Sequence, residues 1–314
     1  MKQLILVFIR KKREFMANAR IIKRRVNSVQ NIAKITNAMQ LVSASKTKYS
    51  QKVAINSLPY MQSLLNSLET IANFIDPKSH PFLNTNQSGD DLMIILSTNK
   101  GLCGSLNTNL FKQLLIWTKD RPNTQFIAVG QKAVNFLRTR GFNLVAQFTD
   151  WPEKTTLGDV LPLLDLLTKK YLSGEVGRVD VLFTDFINVL KQHSLIFNLL
   201  PLNDSNIQEL ELKYENKLNK LDRQTAKVKP RANYLLEPSS NELLDFLLNY
   251  YLELSFYHLV LESLASEHSA RMIAMKSASD NAKDLVEILK LDFNKSRQTM
   301  ITNELLDISS AKMR

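Results

Sequence analysis

Two glycines and a lysine stand where a phosphate-binding loop would stand. Gly101 and Gly104 follow the apolar run at 93–96 and precede a helical pattern, and Lys100 comes directly before them. Their Gly-x-x-Gly spacing is not the dinucleotide fingerprint, and a Walker loop places its lysine after its glycines. We therefore predict a tight turn of the central domain, in which glycine supplies backbone freedom. No nucleotide or other cofactor is expected here.

The nucleophilic and metal-binding side chains are few and scattered. The one cysteine, Cys103, has no histidine or aspartate at a spacing that would activate it, so we predict a packing residue. Glu267-His268 lacks the second histidine of a metalloprotease helix. No zinc spacing joins the four histidines, which are His80, His193, His258 and His268. These residues predict neither an enzyme nor a metal site.

The formal net charge of +11 is unevenly distributed along the chain. No acidic residue lies between Glu14 and Glu69, whereas acidic residues outnumber basic ones from Glu237 onward. A basic helix indicates an anionic partner. One interpretation is a nucleic-acid-binding surface, although no aromatic stacking platform accompanies the charges. The other is the basic face of a coiled coil that meets an acidic protein or the acidic helix of the same chain.

Helical seams at both ends of the chain predict a coiled coil. In the last third, residues at alternating spacings of three and four form a heptad seam, and its members are Leu261, Leu264, His268, Arg271, Met275, Ala278, Ala282, Leu285 and Leu289. An earlier seam comprises Ile32, Ile35, Met39 and Val42. We expect the two helices to pair antiparallel, with Ala278 and Ala282 allowing their backbones to approach closely.

The middle of the chain alternates short apolar runs with helical patterns, which predicts an α/β (Rossmann-like) domain with parallel strands. We expect strands at 93–96, 125–129, 143–148 and 179–184, helices at 106–119, 131–140 and 157–172, and extended chain at 189–200. The fold class is therefore a long two-helix coiled coil plus a central α/β domain.

The predicted domain bounds follow from these patterns. They are an N-terminal extension at 1–15, a coiled-coil helix at 16–75, a linker at 76–90, the α/β domain at 91–202, a connecting segment at 203–238 and a coiled-coil helix at 239–314. We expect a kink or pause at Pro59 in the first long helix. The extension is interpreted as an added helical turn or an early start, and membrane-surface contact is the alternative. No apolar run approaches the ~20 residues that span a bilayer.

Three motifs resemble the gamma subunit of F-type ATP synthase. The N-terminal motif is RRVNSVQNIAKITNAM at 24–39, and the central one is STNKGLCGSLNTN at 97–109. The C-terminal motif is LESLASEHSARMIAMKSASDN at 261–281, continued by NKSRQ at 294–298 and ITNEL at 301–305. Asn99-Lys100 and Ser105 depart from the family, which commonly has Asp-Arg and a third glycine there.

The resemblance implies a central rotor stalk with no active site of its own. Its two terminal helices would turn inside a ring of alpha and beta subunits, and its α/β domain would contact the epsilon subunit and the membrane c-ring. One copy per complex would couple ATP synthesis or hydrolysis on the beta subunits to rotation and proton translocation. The complex would lie peripherally on the cytoplasmic face of a bacterial cell membrane.

The resemblance also assigns roles to single residues. Met39 would lie near the acidic lever segment of the beta subunits, and Arg297, Gln298 and Thr302 would contact beta-subunit loops. Together with the seams, it gives a set of shaft-packing residues, namely Ile32, Ile35, Val42, Arg271, Met275, Ala278, Ala282 and Leu285. Two alternatives remain open. They are a rotary ATPase that is not coupled to proton transport and a basic coiled-coil protein that binds nucleic acid.

Overall fold

Two very long helices lie at the ends of the chain. The computed structural model describes residues 2–72, 80–84, 90–152, 154–202 and 237–312. Helix α1 spans Lys2–Ala72 and the last helix, α5, spans Ser240–Lys312. Neither contains glycine, and α1 continues through Pro59, so the expected kink or pause does not end the helix. Most of the predicted linker at 76–90 and of the connecting segment at 203–238 lies outside the described residues.

A five-stranded mixed sheet lies between the two long helices in the sequence. Its strands are β1 Asp90–Leu96, β2 Thr124–Val129, β3 Leu144–Phe148, β4 Val176–Phe186 and β5 Gln192–Leu200. The strand order is β3-β2-β1-β4-β5, with β5 antiparallel to β4 and the other pairs parallel. The connecting helices are α2 Leu106–Trp117, α3 Gln131–Arg140 and α4 Leu157–Leu172. The predicted fold class is confirmed.

Both faces of the sheet are buried, because the side chains of each strand alternate between two apolar clusters. From β1, Leu92 and Ile94 pack into a cluster that includes α4, the end of α1 and the start of α5. Met93 and Ile95 pack into the opposite cluster with α2 and α3. The apolar stripes at 58–71 of α1 and 244–260 of α5 therefore belong to the core of the sheet.

The described chain forms two compact units. One comprises 1–43 with 272–314, and the other comprises 44–271. In the first, the Ser279 Oγ donates to the carbonyl oxygen of Ala33 at 3.4 Å, while residues 21–29 line a groove with Leu285 and Leu289. Since lower numbers on α1 meet higher numbers on α5, the helices of this unit run antiparallel, as predicted. In the second, both helices pack on the sheet.

The predicted seam on α1 is wrong in register. Ile32, Ile35 and Val42 are 51%, 59% and 54% exposed, and Met39 is half-buried. Between residues 20 and 57 of α1, the buried positions are instead mostly small and polar, namely Val26, Ser43, Thr47 and Ser50. Small side chains allow a neighbouring backbone to approach closely, so they take the inward positions and the larger isoleucines remain outside.

The predicted seam on α5 is correct in its first part and drifts afterwards. Met275 and Ala282 are buried as expected, and Ala278 is half-buried, whereas Leu285 is 44% exposed and Val286 is buried in its place. Buried residues on α5 recur every eleven positions, as at 268, 279 and at 271, 282. An α-helix has 3.6 residues per turn, so a strict heptad rotates by about 20° per repeat and an eleven-residue repeat stays in line.

Candidate functional site

The segment after β1 forms a tight turn held by side chains. The Thr98 Oγ1 donates to the carbonyl oxygen of Lys100 at 2.8 Å, and the Asn107 Nδ2 donates to Thr98 Oγ1 at 2.8 Å. Gly104 has φ of 61° in the left-handed region, as a glycine in a turn allows. Leu102 also has a positive φ, 64°, and its side chain is 60% exposed. A leucine in this conformation is strained, and here it projects an apolar side chain into solvent.

Cys103 anchors the same turn from inside. Its side chain is buried, and its Sγ accepts a hydrogen bond from the Asn107 Nδ2 at 3.3 Å. Asn99, one of the departures from the family pattern, bridges to two neighbouring segments. Its Oδ1 accepts from the backbone N–H of Gln131 at 2.9 Å, and its Nδ2 donates to the carbonyl oxygen of Thr149 at 2.9 Å. These two residues therefore stabilise the turn.

Arg271 of α5 holds the turn from outside. Its Nε donates to the carbonyl oxygen of Gly101 at 3.3 Å, and its Nη2 donates to that of Lys100 at 3.3 Å. The same Nη2 lies 2.6 Å from Glu267 Oε1, one helical turn earlier. The prediction of Arg271 as a shaft-packing residue is therefore corrected. Its planar guanidinium binds two backbone carbonyls and a carboxylate within the sheet-containing unit.

Glu267 is the ion-pair partner of Arg271, and the sequence alone did not single it out. Burial raises the pKa of its carboxyl, and the charges of Arg271, Lys46 and Lys100 only partly offset that effect. The spacing of Glu267 and Arg271 is i,i+4, which is a standard position for a helical ion pair and could have indicated this contact.

A second buried pair of titratable side chains lies on α5 nearer its start. His258 Nε2 and Glu262 Oε1 are 3.1 Å apart, with side chains 4% and 2% exposed. His258 Nδ1 lies 3.4 Å from the Ser57 Oγ of α1. This group fixes the two helices against each other inside the sheet-containing unit. The i,i+4 spacing of His258 and Glu262 could have indicated their contact, whereas no sequence motif indicated the contact with Ser57.

The unit formed by 1–43 and 272–314 presents a groove of about 470 Å³. It is lined by Ile21, Arg24, Arg25, Ser28, Val29, Leu285 and Leu289. Farther along α5, the side chains of Arg297, Gln298 and Thr302 are all exposed. Gln298 and Thr302 are four residues apart and share a helix face, whereas Arg297 lies about 100° away.

Within the described parts of the chain, no cluster of three or more His, Cys, Asp or Glu side chains could hold a metal ion. The same residues include no helix that is both long and apolar enough to cross a membrane.

Comparison with protein families gives a match over nearly the whole chain. Residues 18–312 match the family model described as ATP synthase. The ATP synthase gamma chain of Akkermansia muciniphila is 36% identical over 296 residues, which cover 94% of this chain and 98% of that one. The gamma chain of Methylacidiphilum infernorum is 36% identical over 307 residues, covering 95% and 99%. That of Haemophilus influenzae is 35% identical over 297 residues, covering 93% and 98%.

Solved structures share the fold at lower identity. A chain of the Euglena gracilis mitochondrial ATP synthase, described as OSCP/F1/c-ring in rotational state 3, superposes with a TM-score of 0.64 at 18% identity, covering 95% of this chain and 94% of that one. A chain of the rotor of the same enzyme gives a TM-score of 0.62 at 19% identity, covering 91% and 99%. Two long terminal helices joined to a mixed sheet are thus the shared architecture.

Proposed function

Because the chain belongs to the ATP synthase gamma-chain family, we propose that it is the central rotor shaft of an F-type ATP synthase. The observation that carries this proposal is the antiparallel pair that α1 and α5, both without glycine, form in the unit of 1–43 and 272–314. Such a pair resists bending and twisting, and it exposes different side chains on each side. It can therefore present a different face to each of three surrounding catalytic sites as it turns.

In this proposal the chemistry of ATP occurs on beta subunits, and the gamma chain acts only through contacts. The partners are the alpha and beta subunits of the ring, the epsilon subunit and the c-ring, with one gamma chain per complex. The complex would sit peripherally on the cytoplasmic face of a bacterial membrane. The Euglena structures, which comprise the rotor of one enzyme and its OSCP/F1/c-ring assembly, support an assembly of this kind.

The exposed face of α1 supports a surrounding partner. Ile32, Ile35 and Val42 project away from the helix pair, and the exposed Lys34 lies about 100° around the helix from Ile35. Apolar side chains in a row on a helix surface mark an interaction site, and the basic charges suit an acidic partner such as the lever segment of a beta subunit. Met39, half-buried beside this row, is proposed to lie near that segment.

We further propose that Arg297, Gln298 and Thr302 form a polar catch on loops of the beta subunits, because all three are exposed on adjacent turns of α5. Replacing Arg297 and Gln298 with Ala should lower ATPase turnover of the reconstituted complex by roughly ten- to a hundredfold if the lost charged hydrogen bonds act in the rate-limiting step. A matched control is Lys290→Ala, another exposed basic residue of α5. Unchanged turnover in an intact complex would contradict the catch.

Co-purification separates the proposed function from its alternatives. The tagged chain should retain a stoichiometric ring of alpha and beta subunits. A c-ring in the same complex would favour proton coupling over a rotary ATPase that lacks it. Nucleic acid that is retained in place of the ring and released steeply by salt would instead support the nucleic-acid-binding alternative.

A further inference from the structure

Three serines of α5 form hydrogen bonds with the backbone of β4 and of the turn that follows it. The Ser263 Oγ accepts a hydrogen bond from the backbone N–H of Thr184 at 3.2 Å. The Ser266 Oγ donates to the carbonyl oxygen of Thr184 at 3.0 Å, and the Ser269 Oγ donates to that of Val189 at 2.8 Å. Ser266 and Ser269 are fully buried. We call Ser263, Ser266 and Ser269 the serine row.

The sheet leaves these backbone groups available because its strands differ in length. The last residue of β4 that pairs with β1 is Leu182, whereas β4 continues to Phe186 against β5. Beyond Leu182 the other edge of β4 therefore has no β1 residue opposite it, and its backbone groups need partners. The hydroxyls of α5 supply two of them at Thr184.

Side-chain hydrogen bonds hold the turn between β4 and β5. The Asn188 Oδ1 accepts hydrogen bonds from the backbone N–H groups of Leu190 and Lys191 at 2.9 and 2.8 Å. The carbonyl oxygen of Val189, which binds Ser269, also accepts from the Gln192 Nε2 at 2.8 Å. Ser269 therefore binds a fixed part of the hairpin.

Ser269 and Arg271 hold α5 on different sides. Ser269 and Arg271 are two residues apart, which places their side chains roughly 160° apart around the helix axis. One contacts the β4–β5 hairpin and the other contacts the turn after β1. A helix bound to rigid backbone on two sides cannot roll about its own axis without breaking hydrogen bonds on one of them.

We infer that the serine row is a torque clamp, a set of positioning residues that fixes the rotation of α5 relative to the sheet domain. This inference rests on the proposed rotor function, because only a rotating shaft subjects this joint to torque. Force that beta subunits apply to the C-terminal part of α5 would reach the sheet domain through the hydroxyls of the serine row and the guanidinium of Arg271. Hydrogen bonds add a directional constraint, which the burial of apolar side chains lacks.

The test uses the complex assembled from this chain with alpha and beta subunits, immobilised by the ring, with a bead attached to the sheet domain. The variant is Ser263→Ala with Ser266→Ala and Ser269→Ala, which removes only hydroxyls. The control is Ser279→Ala, which removes a buried hydroxyl that bonds to Ala33 of α1 and not to the sheet. The readouts are ATP hydrolysis, the angular spread of the bead in the stalled rotor and amide hydrogen exchange at Thr184.

The triple variant should hydrolyse ATP at the wild-type rate and show a broader angular spread, and its Thr184 amide should exchange roughly fivefold faster or more. The control should match the wild type in all three. A purely structural role would not broaden the spread, so an unchanged spread overturns the clamp, and so does unchanged exchange at Thr184. If the triple variant fails to fold, the single variant Ser269→Ala, which loses only the hydrogen bond to Val189, is tested for the broader angular spread instead. If the bead never rotates on the wild-type complex, that result would instead contradict the rotor function and, with it, the torque clamp.

Discussion

At the scale of residues, a nearly buried ion pair on α5 holds this helix on the turn that follows β1. Arg271 joins Glu267 to the carbonyl oxygens of Lys100 and Gly101, so one guanidinium fixes the turn that carries the strained, exposed Leu102. Removing it would leave a nearly buried carboxylate and two carbonyls without that donor.

Arg271→Ala should therefore destabilise the full chain by about 2–4 kcal/mol, because the loss of one member of a buried ion pair leaves its partner uncompensated. Denaturant unfolding measures the change. The matched control is Lys283→Ala, whose ion pair with Asp280 is on the same helix but more than half exposed. That variant should stay within about 0.5 kcal/mol of the wild type. Equal effects of the two substitutions would contradict the role of Arg271.

Glu267 gives a pH dependence with a definite sign. Burial raises the pKa of its carboxyl above 4.5 in the folded chain, so the unfolded chain releases the proton first. The contribution of Glu267 to stability is then fully present below pH 4.5 and is lost as the pH rises through the folded-state pKa. The Glu267→Gln variant lacks this loss. Its free energy of unfolding relative to the wild type should therefore increase from pH 4.5 upward, and a difference that is flat or falls with pH would contradict the assignment.

At the scale of elements, α5 follows an eleven-residue burial pattern rather than the heptad that the sequence indicates, and the inward positions of α1 are not its large apolar residues. The large apolar residues at Ile32, Ile35 and Leu285 suggested a seam, yet they are exposed, and Ser43, Thr47 and Ser279 are buried. Sequence patterns identify inward positions by hydrophobicity, so they fail where a close helix contact selects small polar side chains and a partner protein is expected to cover the apolar ones.

The register is testable with two neighbouring residues of α5. Val286→Ala should cost roughly 1.5 kcal/mol in unfolding free energy, because it removes two buried methyl groups. Leu285→Ala, at a site 44% exposed, should change the stability of the isolated chain by less than about 0.5 kcal/mol. The heptad seam predicts instead that Leu285→Ala lowers the free energy of unfolding more than Val286→Ala does, and that result would contradict the register seen in the structure.

The α/β domain was far more predictable than the helix register. Helices predicted at 131–140 and 157–172 have those bounds in the structure, and the four parallel strands lie where apolar runs alternate with helical patterns. These signals are local, since each run and each breaker lies within its own element. The contacts of Arg271 with Gly101 and of Ser266 with Thr184 join residues 170 and 82 positions apart, and no local pattern encodes them.

At the scale of the whole molecule, α5 belongs to both compact units and is proposed to turn as part of a rotor. The family match over residues 18–312 supports this rotation, and the Euglena rotor chain shares the fold. The residues proposed to meet the beta subunits lie on the unit formed by 1–43 and 272–314, and the joint that would transmit torque lies in the other.

Rotation itself is the most direct measurement. The complex of this chain with alpha and beta subunits is fixed through the ring, and a bead is attached to the sheet domain of this chain. ATP should drive the bead continuously in one direction with three dwells per turn, one for each catalytic site, and the rotation should stop when ATP is removed. A ring that hydrolyses ATP at its full rate while the bead on an intact complex shows only random motion would contradict the account.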